Sequence, residues 1–280
     1  MEIDIKFLKQ IAINVFNKVS PLLGQKEAGL KSTRGAGGDI SMNIDLIAEN
    51  TIIDTLDKAN VNILLISEEI GEKYIGDKEK AINNQNVLIV DPLDGSNNAA
   101  RGIPYCSVSI AHAKGTKISD IKRAVVLNLN TKDIYWAEKG KGAYFNDRKI
   151  NVSNLDISNE CFFELNLPTK NLMKNLQKLA PLIQRFYRVR ILGSTALTLC
   201  QVASGSIEAF VNLRKNNRLV DAAAGILILK EAGGIIFALD GTELNQNLSI
   251  NNRFPFIACN AELESVLKTE LVNKNYSDCR

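Results

Sequence analysis

Two short apolar segments, each followed closely by acidic residues, constrain the fold more than any other feature of the sequence. The segments are VNILLIS at 61–67 and NVLIV at 86–90. Runs of this length that are almost wholly apolar are typical of strands covered on both faces, so each strand needs helices above and below it. The sequence therefore predicts a layered α/β protein with carboxylates at the ends of two interior strands.

Amphipathic and alternating segments surround these two strands. Apolar residues at helical spacing predict a helix over 5–19, with Pro21 as its stop, and a second helix from about 45 to 59. The stretch LKSTRGAGGDISMNID between them is rich in Gly, Ser and Thr, and we expect a mobile loop there. Further strands are predicted for YCSVSIA, RAVVLNL and IYWAE, followed by a hairpin in GKGAYFNDRKINVS.

After residue 155 the pattern changes to a regular alternation of strands and helices. Strands are predicted in CFFELNL, 186–192, IEAFVNL, GIIFAL and FPFIACN, and helices over 171–185, 194–204, 219–232 and the C-terminal end. This order favours an α/β half built of layers. We therefore predict two packed subdomains, an N-terminal α+β one over 1–155 and a C-terminal α/β one over 156–280.

Composition excludes several classes of protein. The chain has 34 basic and 31 acidic residues and a net charge of +3, with no long basic block, so nucleic acid is not an expected partner. No apolar run approaches the roughly 18 residues of a membrane span, so no membrane partner is expected. The N-terminal segment is amphipathic and lacks the order of an export signal, which favours a cytoplasmic protein.

The cysteines and the histidine of the sequence do not indicate a disulfide framework, a zinc site or histidine catalysis. The five cysteines are scattered without C-x-x-C spacing, as expected for reduced thiols rather than for disulfides or a zinc site. His112 is the single histidine and lies in an alternating apolar run, which favours a packed strand residue over a catalytic one. Catalytic triads and sites with several histidines are largely excluded.

The most informative segment is DPLDGSN, residues 91–97, directly after the second buried strand. Pro92 fixes one backbone angle and Gly95 permits a left-handed turn, so both carboxylates and the Leu93 carbonyl can converge on one point. Hard divalent cations prefer such oxygen ligands. The amides of Gly95, Ser96 and Asn97 would then face a phosphate beside the cations. The alternative is a plain Asx turn with helix capping.

Other acids end or begin elements that are predicted to be buried. Glu68 and Glu69 follow the first apolar strand, and Asp221 begins a helix that is apolar around its whole circumference. Asp221 alone is explained equally well as a helix cap. Four carboxylates at Glu68, Asp91, Asp94 and Asp221 would repel one another strongly unless cations compensate them, and two Mg²⁺ ions would neutralise all four.

Three motifs, in their order and spacing, resemble the inositol monophosphatase family of metal-dependent sugar phosphatases. They are the Glu-Glu pair about twenty residues upstream, DPLDGS followed by N-x-x-x-G-I-P, and DAAAGILILKEAGG near the C-terminus. Within that family the chain is similar to the archaeal-type enzymes that hydrolyse both fructose 1,6-bisphosphate and inositol monophosphates. The resemblance implies the sugar-phosphatase fold, with alternating αβαβα layers in two packed subdomains, and a homodimer.

The resemblance also implies a ligand set and catalytic roles. Two or three Mg²⁺ ions, or Mn²⁺ as a substitute, would be held by Glu68, Asp91, the Leu93 carbonyl, Asp94 and Asp221, most of which belong to 1–155. Glu69 is a less certain neighbour of this set. Asp39 and Asp45 would lie on the loop that completes the site, and Asp45 would act with Ser96, where the family usually has threonine, to position the attacking water. Without the resemblance, Asp39 is a solvated loop acid and Asp45 a helix cap.

Substrate-binding residues follow from the same resemblance. Those expected to contact substrate are Leu93, Asp94, Gly95, Ser96, Asn97, Gly193, Ser194, Thr195, Arg214, Arg218 and Asp221. Gly193, Ser194 and Thr195 would line the sugar pocket. Arg214 and Arg218 could hold a second phosphate by forked hydrogen bonds, or be merely solvated. Arg101 and Arg190 are weaker candidates.

The sequence thus predicts a Mg²⁺-dependent phosphatase that acts on a sugar or inositol phosphate by in-line attack of an activated water. Signatures of a covalent phosphoenzyme, C-x5-R or D-x-D, do not occur. Two alternatives remain. One is hydrolysis of 3′-phosphoadenosine 5′-phosphate, and the other is a catalytically silent relative that binds phosphometabolites or a protein partner.

Overall fold

The N-terminal helices form the first layer. The computed structural model describes residues 2–36, 38, 40–272 and 274. Helix α1 (Ile5–Val19) begins where Asp4 Oδ1 accepts a hydrogen bond from the Phe7 amide at 2.8 Å, and it buries the apolar stripe that the sequence predicts. Helix α2 (Asn43–Lys58) packs beside it, and both lie on one face of a large sheet.

The segment between α1 and α2 differs from the prediction. Strands β1 (Lys31–Arg34) and β2 (Ile40–Met42) pair antiparallel, so the expected mobile loop over 30–45 is in part a two-stranded hairpin. A ribbon of this kind is held by main-chain hydrogen bonds and needs no apolar periodicity, which explains why the sequence pattern does not reveal it.

The large sheet has eight strands in the order β10-β9-β8-β7-β6-β5-β3-β4. They are β3 (Ile63–Ser67), β4 (Gly71–Ile75), β5 (Asn86–Asp94), β6 (Ser107–Lys114), β7 (Ile121–Asn128), β8 (Ile134–Glu138), β9 (Gly142–Phe145) and β10 (Arg148–Ile150). The two apolar segments of the sequence form two of its interior strands, β3 and β5. These two are parallel, with Ser67 opposite Val90, whereas the other pairs are antiparallel.

Two helices form the middle layer, against the other face of this sheet. They are α6 (Thr195–Ala203) and α7 (Leu219–Glu231), and every residue of α7 from Leu219 to Leu229 is buried. One apolar cluster joins them to strands of both sheets, including Phe210 and Phe256 of the second sheet. The prediction of a helix buried around its circumference is therefore confirmed.

A second sheet and two outer helices complete the fold. The sheet runs β12-β11-β13-β15-β14, and its outer face is covered by α5 and α8. Its strands are β11 (Phe162–Asn166), β12 (Arg188–Arg190), β13 (Ala209–Asn212), β14 (Ile235–Phe237) and β15 (Phe256–Cys259). The outer helices are α5 (Leu172–Ile183) and α8 (Glu264–Leu271). Two short helices, α3 (Lys78–Asn83) and α4 (Ser96–Arg101), lie in the first half of the chain. The layers alternate as αβαβα, as predicted. The division at 155 and 156 stays a prediction.

Histidine and cysteine are structural in the described part of the chain. His112 lies buried in β6, and burial lowers its pKa to about 4, so it is neutral at pH 7. Cys106, Cys161, Cys200 and Cys259 are buried free thiols, and Cys279 lies outside the described residues. None of the helices described is both long and apolar enough to cross a bilayer.

Candidate active site

Parallel pairing of β3 and β5 places the central acids next to each other. Since Ser67 lies opposite Val90, the residues that follow them, Glu68 and Asp91, emerge side by side at one sheet edge. The N-terminus of α7 points at the same edge and adds Asp221. Carboxylate oxygens of Glu68, Asp91 and Asp221 all lie within 4.8 Å of one another, and all three residues are buried.

The turn after Asp91 has the geometry that its sequence predicts. The Leu93 amide donates to Asp91 Oδ1 at 3.0 Å, and the Ser96 hydroxyl donates to the Leu93 carbonyl at 2.9 Å. Gly95 adopts φ 92°, and a Cβ there would lie 3.0 Å from the Tyr105 carbonyl. Helix α4 begins at Ser96, so the amides of this turn stand at a helix start beside the acids.

Asp94 connects the first sheet to α6. Its Oδ2 accepts hydrogen bonds from the Ser194 hydroxyl at 2.6 Å and from the Ala196 amide at 2.7 Å. Asp94 therefore accepts a hydrogen bond from an amide in the first turn of α6, and it also lines the cavity described below. It lies outside the group of three carboxylates that approach one another within 4.8 Å, so its expected role as a metal ligand remains a proposal.

Asp45 and Asp221 occupy equivalent positions in two helices. Each is the third residue of its helix, and each accepts a hydrogen bond from the amide that precedes the helix: Met42 to Asp45 Oδ2 at 2.7 Å, and Arg218 to Asp221 Oδ2 at 3.4 Å. The sequence leaves helix capping and a role in the site as alternatives for Asp45 and Asp221. In the structure each residue caps its helix and also lies in the site. The Ser96 hydroxyl acts with the Met42 hydrogen bond to lower the pKa of Asp45 against the rise caused by burial.

Burial disfavours the charged form of these acids. Desolvation raises the pKa of Glu68 to about 8, and raises the pKa of Asp94 and of Glu69 each to about 7. The pKa of Asp91 is raised well above its usual range by burial and then by the charges of Glu68 and Asp221. Asp91 Oδ2 is buried and makes no hydrogen bond within the described residues. An unpartnered oxygen among crowded acids fits a divalent cation, which would supply the missing partner and charge.

Arg218 lies within this acid cluster. Its Nε donates to Asp221 Oδ1 at 2.9 Å, and its Nη1 donates to Glu68 Oε1. Burial alone would lower the pKa of Arg218, but Asp221, Glu68 and Asp91 raise it above its ordinary value, so the guanidinium is charged. The structure therefore places Arg218 against two expected metal ligands and not only on the wall of a phosphate pocket.

A cavity of about 620 Å³ opens over the acids. Of the expected residues, those lining it are Asp45, Glu68, Leu93, Asp94, Gly95, Ser96, Asn97, Gly193, Thr195, Arg214, Arg218 and Asp221, together with Glu69. Asp91 and Ser194 are buried behind this wall. Asp39 lies outside the described residues. Of the weaker candidates, Arg101 is exposed at the end of α4, and the Arg190 guanidinium lies over the Phe162 ring at 4.7 Å.

Sequence reasoning missed several lining residues. Met42, Asn166, Asn216 and Asn217 line the same cavity. Asn217 Oδ1 accepts from Asn212 Nδ2 at 2.8 Å and from Thr195 Oγ1 at 3.3 Å, which ties the predicted sugar-pocket residue to the loop before α7. Asparagines are ordinary loop residues, so their type and spacing give no signal of such a role.

A solved structure shares this architecture. An inositol monophosphatase–fructose 1,6-bisphosphatase superimposes with a TM-score of 0.82 over 97% of this chain and 100% of its own, at 29% sequence identity. The fold is thus that of the sugar phosphatases, as the sequence motifs predict.

Sequence comparison gives the family. The family model described as "Inositol monophosphatase family" matches residues 2–274, and the chain belongs to that family. A fructose-1,6-bisphosphatase/inositol-1-monophosphatase of Methanothermobacter thermautotrophicus is 36% identical, with 96% of this chain and 98% of that protein covered. A bifunctional NADP phosphatase/NAD kinase of Methanococcus maripaludis is 37% identical over 92% of this chain, which spans 47% of that longer protein. Both matches indicate a phosphatase.

Proposed function

We propose that the protein is a Mg²⁺-dependent phosphomonoester hydrolase that acts on fructose 1,6-bisphosphate and inositol-1-phosphate. The observation that carries the proposal is the convergence of Glu68, Asp91 and Asp221 within 4.8 Å, with Glu68 and Asp221 on the wall of a cavity and Asp91 buried behind it. Buried acids at this spacing need positive charge, and a substrate phosphate needs the same cations. The relative from Methanothermobacter, matched along its length, bears the name of this activity.

The proposed metal ligands are Glu68, Asp91, the Leu93 carbonyl, Asp94 and Asp221. The Leu93 carbonyl accepts one hydrogen bond from Ser96 and has a second lone pair for a cation. Bound divalent cations would lower the pKa of water and neutralise charge on the phosphate oxygens. Mg²⁺, with Mn²⁺ as a substitute and two or three ions in each site, fits an all-oxygen set.

The chain's own groups would orient the reactants. Asp45 Oδ1 is buried and makes no hydrogen bond within the described residues, while Oδ2 is fixed by Met42. We propose that Asp45 Oδ1 and the Ser96 hydroxyl hold the attacking water. The amides of Gly95, Ser96 and Asn97, at the start of α4, would bind the phosphate oxygens.

Recognition of the rest of the substrate would come from the second half of the chain. Gly193, Thr195 and Arg214 line the catalytic cavity. Arg214 and Asn216 also line a neighbouring cavity of about 530 Å³, together with Lys170, Lys215 and Arg253. A cavity lined by four cations beside an acidic one favours a substrate with a second anionic group away from the scissile phosphate.

The same cationic cavity favours NADP as a second candidate substrate. Its 2′-phosphate would occupy the catalytic cavity, and its pyrophosphate would extend toward Arg214 and Lys215. The relative from Methanococcus is named for NADP phosphatase activity. Hydrolysis of 3′-phosphoadenosine 5′-phosphate would likewise need one phosphate in the catalytic cavity and a second anionic group near the cationic one. This compound is therefore assayed beside NADP. A catalytically silent relative is disfavoured because Glu68, Asp91 and Asp221 are all present and converge.

Phosphate release tests the proposal. With Mg²⁺ present, we expect hydrolysis of fructose 1,6-bisphosphate and inositol-1-phosphate, and a loss of about 100-fold or more in Asp91→Asn because one central carboxylate is neutralised. Asp54→Asn, an exposed aspartate of α2, is the matched control. Turnover of neither substrate by the native protein, or unchanged turnover in Asp91→Asn, would contradict the proposal. Parallel assays with NADP and 3′-phosphoadenosine 5′-phosphate rank the alternatives.

Cellular role and assembly belong to the same proposal. The family resemblance supports a cytoplasmic homodimer that works in carbohydrate metabolism, with gluconeogenesis as the route for fructose 1,6-bisphosphate hydrolysis. Light scattering on the purified chain (30.8 kDa) tests the dimer, for which twice that mass is expected.

A further inference from the structure

Arg218 joins two of the acids at the centre of the site. It bonds to Asp221, three residues along the chain, and to Glu68, 150 residues away. The Arg218 side chain is 16% exposed, and those of Glu68 and Asp221 are 10% and 11% exposed. The ion pairs are therefore largely shielded from water, unlike pairs on an open surface.

This guanidinium compensates several acids at once. Burial raises the pKa of each acid named below, and the charge of Arg218 lowers it. These acids are Asp45, Glu68, Glu69, Asp91 and Asp94. Removal of Arg218 would leave buried carboxylates to repel one another, which is costly when no other cation replaces it.

Arg218 and a divalent cation would draw on the same two carboxylates. Glu68 and Asp221 belong to the group of three that could ligate a metal, and both are bonded to Arg218. A guanidinium has donors only and cannot itself coordinate a metal, and its charge repels a cation placed a few ångströms away. A cation at Glu68, Asp91 and Asp221 is therefore disfavoured while Arg218 stays bonded to both Glu68 and Asp221.

We propose that Arg218 is a positioning residue that occupies the metal site of the unloaded protein and competes with divalent cations for Glu68 and Asp221. It holds a carboxylate from the end of β3 against one from α7, so the ligands are gathered before the cation binds. The competition weakens the apparent metal affinity. Arg218 already lines the catalytic cavity, which gives the displaced side chain a place to go.

Calorimetric titration with Mg²⁺, without substrate, tests this inference. Arg218→Gln should bind Mg²⁺ about tenfold or more tightly than the native protein, because the competitor is gone. In EDTA the same variant should melt at a lower temperature than the native protein. Arg214→Gln, which removes a cation from the same cavity wall without an observed bond to Glu68 or Asp221, should keep native Mg²⁺ affinity.

Equal or weaker Mg²⁺ binding by Arg218→Gln would overturn the inference. Should that variant fail to fold without metal, Arg218→Lys serves instead. Lysine keeps the charge but loses the fork, so tighter binding than native is again expected, and equal or weaker binding overturns the inference. The inference rests on the proposed function only for the identity of the cation. If no substrate is hydrolysed but the Mg²⁺ affinities of the Arg218 variants shift as expected, the proposed function fails and the competition between Arg218 and the cation stands. If substrate is hydrolysed but the Mg²⁺ affinities do not change, the proposed function stands and the competition fails.

Discussion

Single side chains at the site bind a local partner and also belong to the acid cluster. Asp91 accepts the Leu93 amide with one oxygen and directs the other into the cluster, and Asp221 completes the first turn of α7 while it approaches Glu68. Residue type and local spacing identify such acids as candidates but leave capping as an alternative. A carboxylate has two oxygens, so one side chain can serve both purposes. The contact of Arg218 with Glu68 joins residues 150 positions apart and leaves no trace in local sequence.

Glu164 is a buried acid outside the cluster. Its Oε1 accepts the Leu192 amide at 2.8 Å, beside the Gly193 segment of the cavity wall, while its Oε2 is buried and makes no hydrogen bond within the described residues. Burial raises its pKa to about 7 from the ordinary 4.5. The folded protein thus holds this proton more tightly than the unfolded chain, so Glu164 makes the free energy of unfolding fall as pH rises from 4.5 to 7.

Replacement of Glu164 by glutamine should remove that pH dependence. Below pH 4.5 the two proteins should respond alike to pH, and above pH 7 the native protein should have lost on the order of 3 kcal/mol relative to the variant. Urea unfolding at a series of pH values measures the difference. Glu160→Gln, at an exposed position, controls for the loss of one charge. A pH-independent difference between native protein and Glu164→Gln would show that the carboxyl group does not titrate in this range.

At the scale of elements, the helices α6 and α7 cross closely. A Cβ on Gly225 of α7 would lie 2.6 Å from the Leu199 Cβ of α6, so the two backbones approach only because this position has no side chain. Both helices carry site residues at their starts: Ser194 and Thr195 for α6, and Asp221 for α7.

Gly225→Ala should therefore destabilise the protein, although the same change in an exposed helix usually stabilises by about 1 kcal/mol. Overpacking is expected to cost about 1–3 kcal/mol in the free energy of unfolding. Because α7 must shift away from α6, Mg²⁺ affinity should fall as well. Chemical denaturation and Mg²⁺ titration check the two effects, and a gain in stability would contradict the tight crossing.

Elements were predictable where burial imposes an apolar pattern on the sequence, either a helical period or an unbroken apolar run. The helix α1, the interior strands β3 and β5, and the buried helix α7 are seen in the apolar pattern. The hairpin of β1 and β2 and the strand β4, whose middle residues are exposed or partly exposed, depend on main-chain pairing that apolar spacing does not record.

At the scale of the whole molecule, the middle helix layer packs against both sheets, so each sheet needs this layer to bury one of its faces. Helices α6 and α7 come from the second half of the chain but cover one face of the first sheet. The sequence predicts the alternation of layers and a boundary near residue 155. It does not show that this layer is shared, because that depends on contacts between distant segments.

A fragment of residues 1–155 should accordingly fail to fold alone. Its large sheet would keep α1 and α2 on one face and expose the apolar residues that α6 and α7 cover on the other, including Ile89, Ala111 and Val126. Circular dichroism and denaturant titration of the fragment should show no cooperative transition, whereas the full chain should unfold in one. A cooperative transition in the fragment would instead make it an independent domain.

The bond from Asp94 to the start of α6 has a consequence for changing substrate preference. Ser194 and Ala196, which hold Asp94, flank Thr195 on the cavity wall that we propose to face the sugar. A substitution chosen to reshape that wall would also move Asp94, one of the proposed metal ligands. On the proposed function, variants selected for new sugars at 193–195 will therefore come with altered magnesium requirements, and screens run at a single magnesium concentration will overlook some of them.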